Sequence, residues 1–305
     1  PRIVDVIDFG ETPDESYFLT MEYLEGEELS ELLAREGALC PAQTIRLSCQ
    51  LALGLQWAHA DGVIHRDLKP DNIFLCASEQ GAQVRLLDFG SVKLQLEAGR
   101  KLTALGTTLG SPYYMSPEQA LGKLDVDQRT DVFALAAIMH EMATGEVAFE
   151  ADNVAEILMK IVSCSPPPVS SSNPEYPVAF DQVIERALSK DKTQRFSSCI
   201  ALAEAMLEAF GLPPDVERFA ETPVAQVAEA TYERGSVRPP STQIMVPDEA
   251  LEPESQERER ERVSVPLAPA VLSLPARAAE MPVTVAALGA VLVVGLVAAA
   301  WLLLL

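Results

Sequence analysis

Apolar positions along the first 211 residues change period several times, and each change predicts an element. PRIVDVIDFG (1–10) and SYFLTMEYL (16–24) are apolar-rich runs separated by the turn-like ETPDE, the pattern of two hairpin strands. GEELSELLAREG (26–37) carries a glycine at each end and predicts a short helix. PAQTIRLSCQLALGLQWAHADG (41–62) opens on Pro41, suited to a first helical turn that needs no N–H, and closes at Gly62. Leu47, Leu51 and Leu55 recur every fourth residue and share one face, so this helix is expected to be buried and amphipathic. NIFL and VRLLDF flank the polar ASEQGAQ and predict a second hairpin. From Asp131 onward helical patterns dominate: DVFALAAIMHEMATG, NVAEILMKIVS, FDQVIERALS and FSSCIALAEAMLEAFG. A few strands followed by a helical body predict an α+β fold.

The pattern changes at residue 212. Pro, Ala, Ser, Glu and Arg dominate residues 212–281, with a low-complexity QERERER at 256–262. Such a composition buries too little apolar area to offset ordering entropy, so a disordered juxtamembrane linker is expected here. Residues 283–305, VTVAALGAVLVVGLVAAAWLLLL, carry no charge. As a helix they would reach roughly 34 Å, against a hydrocarbon core of about 30 Å, so 282–305 is expected to be a single transmembrane helix. Apolar residues on every face argue against the alternative, a buried helix of a soluble domain. Arg258, Arg260, Arg262 and Arg277 precede it, which favours a cytoplasmic N-terminal side.

Composition narrows the partners. A net charge of -22 among 305 residues disfavours a nucleic-acid backbone as a partner, because phosphate binding calls for a basic face. The five cysteines form no CxxC pair and no His lies near them at metal spacing, so reduced, packed thiols are expected.

The chemistry concentrates in IHRDLKPDNIFL (64–75), where His65, Arg66, Asp67, Lys69, Asp71 and Asn72 sit between apolar flanks. Asp88-Phe89-Gly90 and Ser116-Pro117-Glu118 follow in order. Asp67 and Asp88 bring carboxylates and Asn72 an amide into these motifs. Three such motifs in this order are far more specific than any one of them.

This set resembles the Hanks-type, eukaryotic-like Ser/Thr protein kinases, and among them the bacterial membrane-anchored branch, over about residues 1–211. The resemblance implies a protein-kinase-like fold, mainly the helical C-terminal lobe with a remnant of the N-lobe sheet. It implies transfer of the ATP γ-phosphoryl to protein hydroxyls, with ATP and Mg²⁺ as cofactors. Asp67 then matches the catalytic base, Lys69 the γ-phosphate contact that points to Ser/Thr substrates, and Asn72 and Asp88 the metal ligands. In MEYLEG, backbone groups of Glu22 and Leu24 would pair with adenine and Met21 would guard the back pocket, while Phe74 would floor the base. His65 and Phe89 match packing positions, Asp131 the buried brace of the catalytic loop, and Glu118 with Arg195 a buried ion pair. Lys192 stands where the family often has proline, a departure expected to be harmless. Residues 91–115 look like an activation loop. Arg66 would pair with a phosphorylated Thr103, Thr107 or Thr108, and Ser111 would lie near the substrate.

The family's GxGxxG loop, strand lysine and helix glutamate have no counterpart in these 305 residues, and Pro1 falls where the family's fourth strand begins. Two explanations are open: a fragment of a longer kinase, or a truncated product. The leading expectation is a single-pass Ser/Thr kinase of the cytoplasmic membrane, its catalytic domain in the cytoplasm, acting on protein substrates and able to dimerise for trans-autophosphorylation. The alternative is a catalytically inactive scaffold or receptor fragment.

Overall fold

The computed structural model describes residues 2–12, 16–78, 81–89 and 112–232. They divide into two units, a body (2–5 and 22–232) and a hairpin (6–21). In the hairpin, β1 (Val6–Glu11) pairs antiparallel with β2 (Tyr17–Met21), with a bulge between Val6 and Asp8. Val6, Ile7, Phe9, Tyr17, Phe18, Leu19 and Met21 are all exposed.

The first apolar run is not one strand. It breaks after Asp5, and residues 2–5 join the body instead. Leu86 N–H donates to Arg2 O (2.8 Å) and Val4 N–H to Leu86 O (3.0 Å), with a parallel bridge between Ile3 and Leu86. The body's sheet runs β3 (Gly26–Glu28), β4 (Ile73–Cys76), β5 (Gln83–Leu86), all antiparallel. β3 occupies the start of the segment expected to be wholly helical. Helix α1 (Leu29–Glu36) begins only after Glu28, whose N–H is taken by the Glu31 side chain at 3.1 Å.

α2 (Pro41–Ala60) runs as the sequence predicts, and Leu47, Leu51 and Leu55 are buried. After it come α3 (Pro117–Ala120), α4 (Arg129–Thr144), α5 (Val154–Ser163), α6 (Val169–Ser172), α7 (Val178–Ala187) and α8 (Cys199–Ala209). α4 is the axis of the body: every residue from Thr130 to His140 is buried. α2, α7 and α8 pack around it, with Phe133 stacked on Phe149 at 5.9 Å.

Residues 212–232 depart from the linker expected from residue 212. α9 (Val216–Glu221) and α10 (Val224–Tyr232) fold against α2, because Val216, Phe219, Ala220 and Val227 find apolar partners there. Asp215 caps α9 by accepting from Arg218 N–H at 3.1 Å. Among the described residues no helix is long and apolar enough to cross a membrane. The span expected at 282–305 and the rest of the linker lie outside them.

Gly26 shows how tightly the sheet is closed. Its φ is +153°, and a Cβ there would stand 2.0 Å from the Leu75 carbonyl oxygen. Gly26→Ala must therefore push β3 off β4, at about 3 kcal/mol from strain and overpacking. Urea unfolding is expected to show that loss; an unchanged midpoint would contradict the pairing of Gly26 with Cys76.

Candidate active site

The catalytic-loop candidate hangs between α2 and β4. α2 ends at Ala60 and the chain reverses at Gly62 (φ +75°), where Gly62 N–H donates to His59 O and Val63 N–H to Ala58 O. The chain then turns under α4 and re-enters the sheet through a 3₁₀ turn at Pro70–Asn72. Leu87 N–H donates to Asn72 O at 2.9 Å, which ties the loop to the end of β5.

One carboxylate holds this turn. Asp131, in the first turn of α4 and fully buried, accepts from His65 N–H on Oδ2 and from Arg66 N–H on Oδ1, both at 2.9 Å. His59 Nε2–H adds a third bond to Oδ2 at 2.6 Å. Arg66 adopts φ +66°, a left-handed conformation that costs a non-glycine residue about 1–3 kcal/mol. Its peptide is gripped on both sides, since Gln119 Nε2 donates to Arg66 O at 2.7 Å. Gln119 itself is fixed by accepting from Ser116 N–H and Oγ–H.

This grip presents the chemical groups. Asn72 Nδ2 donates to Asp67 O (2.7 Å) and, at 3.3 Å, to its Oδ2. Asn72 Oδ1 is left without a hydrogen bond among the described residues. Lys69 Nζ stands 3.9 Å from Asp67 Oδ2, with both side chains partly open to solvent. Asp88 is exposed and also left-handed, at φ +53°. The free amide oxygen of Asn72 and the exposed carboxylate of Asp88 are hard oxygen donors, a set that fits Mg²⁺. His65 is fully buried with its ring 4.5 Å from that of Phe89. Burial pulls the His65 imidazole below its usual range, despite Asp131 and Asp67 nearby, so the ring packs as a neutral group.

Glu22 sits at the edge of the body. Its N–H donates to Asp5 O and its Oε1 accepts from Asp5 N–H, both at 3.0 Å, while Arg85 Nε lies 3.8 Å from the same oxygen. The Glu22 N–H is therefore spent within the protein. Phe74 is half-buried on β4, opposite Arg85 and Glu28.

The expected ion pair is formed and bidentate. Arg195 Nη1 and Nη2 donate to Glu118 Oε1 and Oε2, each at 2.8 Å, and Thr130 Oγ1–H donates to Oε1 at 2.9 Å. Lys192 bridges Asp125 and Asp127 at 2.8 and 3.1 Å, a use that proline could not supply. Thr103, Thr107, Thr108 and Ser111 lie outside the described residues. His59, Gln119 and Thr130 were not singled out from the sequence. The buried Tyr114, which donates to Glu141 Oε2 at 2.6 Å, was also missed.

A family model described as protein kinase domain matches residues 1–208. The chain belongs to the protein kinase domain family. The kinase domain is homologous to bacterial Hanks-type Ser/Thr kinases. It is 37% identical over 214 residues to serine/threonine-protein kinase pkn3 of Myxococcus xanthus, covering 68% of this chain and 39% of that protein. It is 37% identical over 213 residues to PknH of Mycobacterium tuberculosis, covering 70% of this chain and 33% of that protein. The chain thus spans well under half the length of these relatives. Its kinase domain is also similar to the crystal structure of the Mycobacterium tuberculosis PknI kinase domain. That match has a TM-score of 0.54 and 26% identity over 68% of this chain and 72% of that one.

The Glu118–Arg195 pair yields a pH test. Burial pushes the Glu118 carboxyl up, but the Arg195 hydrogen bonds and charge outweigh it and hold the group at about 2, below its usual 4.5. A folded-state value below the unfolded one stabilises fully above the unfolded value and is lost as pH falls through the folded value. The pair's contribution should therefore vanish between about pH 4.5 and about pH 2. Glu118→Gln strands Arg195 and is expected to cost about 3–5 kcal/mol at neutral pH. The wild-type-minus-variant difference in urea stability should shrink across that acid window; a difference flat with pH would contradict the assignment.

Proposed function

We propose that this chain is the catalytic part of a Ser/Thr protein kinase that transfers the γ-phosphoryl of ATP to protein hydroxyls. The observation that carries this reading is one loop in which Asn72 fixes Asp67 beside Lys69, while Asp131 and Gln119 hold the peptide just ahead of them. Asp67 accepts the proton of a substrate hydroxyl aimed in line at the phosphoryl group. Lys69 places positive charge where the transferred phosphoryl gathers negative charge. Asn72 and Asp88 would hold Mg²⁺, which supplies neutralisation of the phosphate oxygens. The carbonyl of Glu22 and the N–H of Leu24 serve the adenine edge, and Phe74 its face. Arg66 pairs with a phosphate on Thr103, Thr107 or Thr108, and Ser111 lies by the substrate.

The apolar segment 283–305 serves as a membrane anchor, with the kinase domain on the cytoplasmic side and two chains able to meet for trans-autophosphorylation. A second reading is a non-catalytic scaffold that keeps the same loop.

Phosphoryl transfer from Mg–ATP to Ser and Thr separates the two. It should be compared between the 305-residue chain and a longer chain that adds a glycine-rich loop and strand lysine ahead of Pro1. The longer chain is expected to label itself, and Asp67→Asn to lower that rate by about 10²–10⁴-fold. The 305-residue chain alone is expected to fall short by more than about 10²-fold, for want of preorganised phosphate contacts. Undiminished labelling in Asp67→Asn would sink the base assignment.

A further inference from the structure

α9 and α10 lie past the stretch matched by the family model, yet they are built into the body. Phe219 is 2% exposed and Val227 fully buried against α2. Arg46, on α2, is also completely buried. Its Nε donates to Thr222 O at the end of α9 (3.0 Å) and its Nη1 to Ala82 O. Burial lowers the Arg46 pKa, and the nearby Glu221 charge partly offsets that.

A second arginine extends the connection. Arg2 Nη2 pairs with Glu221, while its Nη1 donates to Gln50 Oε1 (2.7 Å) and Gln83 Oε1 (3.2 Å). Gln50 in turn accepts from Val84 N–H at 2.9 Å and donates to Ala82 O at 3.1 Å. From Arg2 the hydrogen bonds continue through Leu86 N–H to Arg2 O, Val4 N–H to Leu86 O and Glu22 N–H to Asp5 O. The end of α9 is thus linked to Glu22 by hydrogen bonds and four residues of backbone.

We propose that α9 and α10 form a clamp that holds residues 2–5 against β5 and, through them, fixes the backbone of Glu22–Leu24. Phe219 and Glu221 are then positioning residues for that segment. Its use for adenine rests on the function proposed above; the clamp does not. The buried Phe219 and Arg46 anchor α9 on α2, and the Glu221–Arg2 pair, modest in strength because the Glu221 side chain is 58% exposed, passes that anchorage to residues 2–5.

Hydrogen–deuterium exchange of the full chain tests this. Phe219→Ala is expected to speed exchange at the amides of Val4, Glu22 and Leu86 by about tenfold while α4 stays protected. Glu221→Arg leaves the clamp's apolar core in place and is expected to speed the same amides about threefold. Faster exchange across 216–232 in Phe219→Ala, with Val4, Glu22 and Leu86 unchanged, would overturn the clamp. If Phe219→Ala loosens α4 equally, Glu221→Arg decides, and no change at the three amides overturns it. Mg–ADP affinity gives a separate readout. Weaker binding in step with exchange in both variants supports the positioning role. No binding by the wild type, with the exchange pattern as expected, counts against the nucleotide reading and leaves the clamp standing.

Discussion

The Asp131 carboxylate is the constraint on which the site depends. A charge buried without partners would be prohibitively costly, so Asp131 is stable inside α4 only because three N–H groups converge on it. Two of those donors are consecutive backbone amides of the 64–75 loop. Satisfying the carboxylate therefore forces His65 and Arg66 into one geometry, including the left-handed turn at Arg66. Chain direction at Asp67 follows from that turn, and Asn72 completes it by closing back on Asp67. The rigid helical core thus positions the groups assigned to chemistry, while the loop itself has little regular structure.

Much of this was legible because certain side chains leave few alternatives. Asp67, Lys69, Asn72 and Asp88 stood out by type and spacing, and α2, α4 and α8 by periodicity. The Glu118–Arg195 pair came through the family resemblance. Other features leave no such mark. Arginine is not a turn residue, so the left-handed Arg66 is invisible until both its neighbours' hydrogen bonds are known. His59 and Gln119 act through partners 72 and 53 residues away in the chain, contacts with no local signature. The apolar run of 1–10 continues past Asp5, yet its pairing partner changes there from β5 to β2, which periodicity alone does not encode.

The order of residues 212–232 is hidden from the sequence for a related reason. α9 and α10 span six and nine residues, short enough that neither would be stable alone, and their composition resembles that of a linker. Their order comes from the apolar face of α2 and from Arg46, which no local window contains. α4 offers a contrast. It is buried on every side like a membrane span, but it carries Asp131 and His140, each satisfied by a specific partner. The segment 283–305 carries no charged residue and no histidine, a contrast visible in the sequence alone.

The most direct measurement of the central claim is residue-resolved amide exchange in the wild-type chain at His65 and Arg66. Both lie in an irregular loop that would ordinarily exchange fast. If Asp131 braces the loop as described, both amides exchange on the slow timescale of the α4 interior and become fast in Asp131→Asn, while α8 remains protected. Exchange at ordinary loop rates in the wild type would contradict the account.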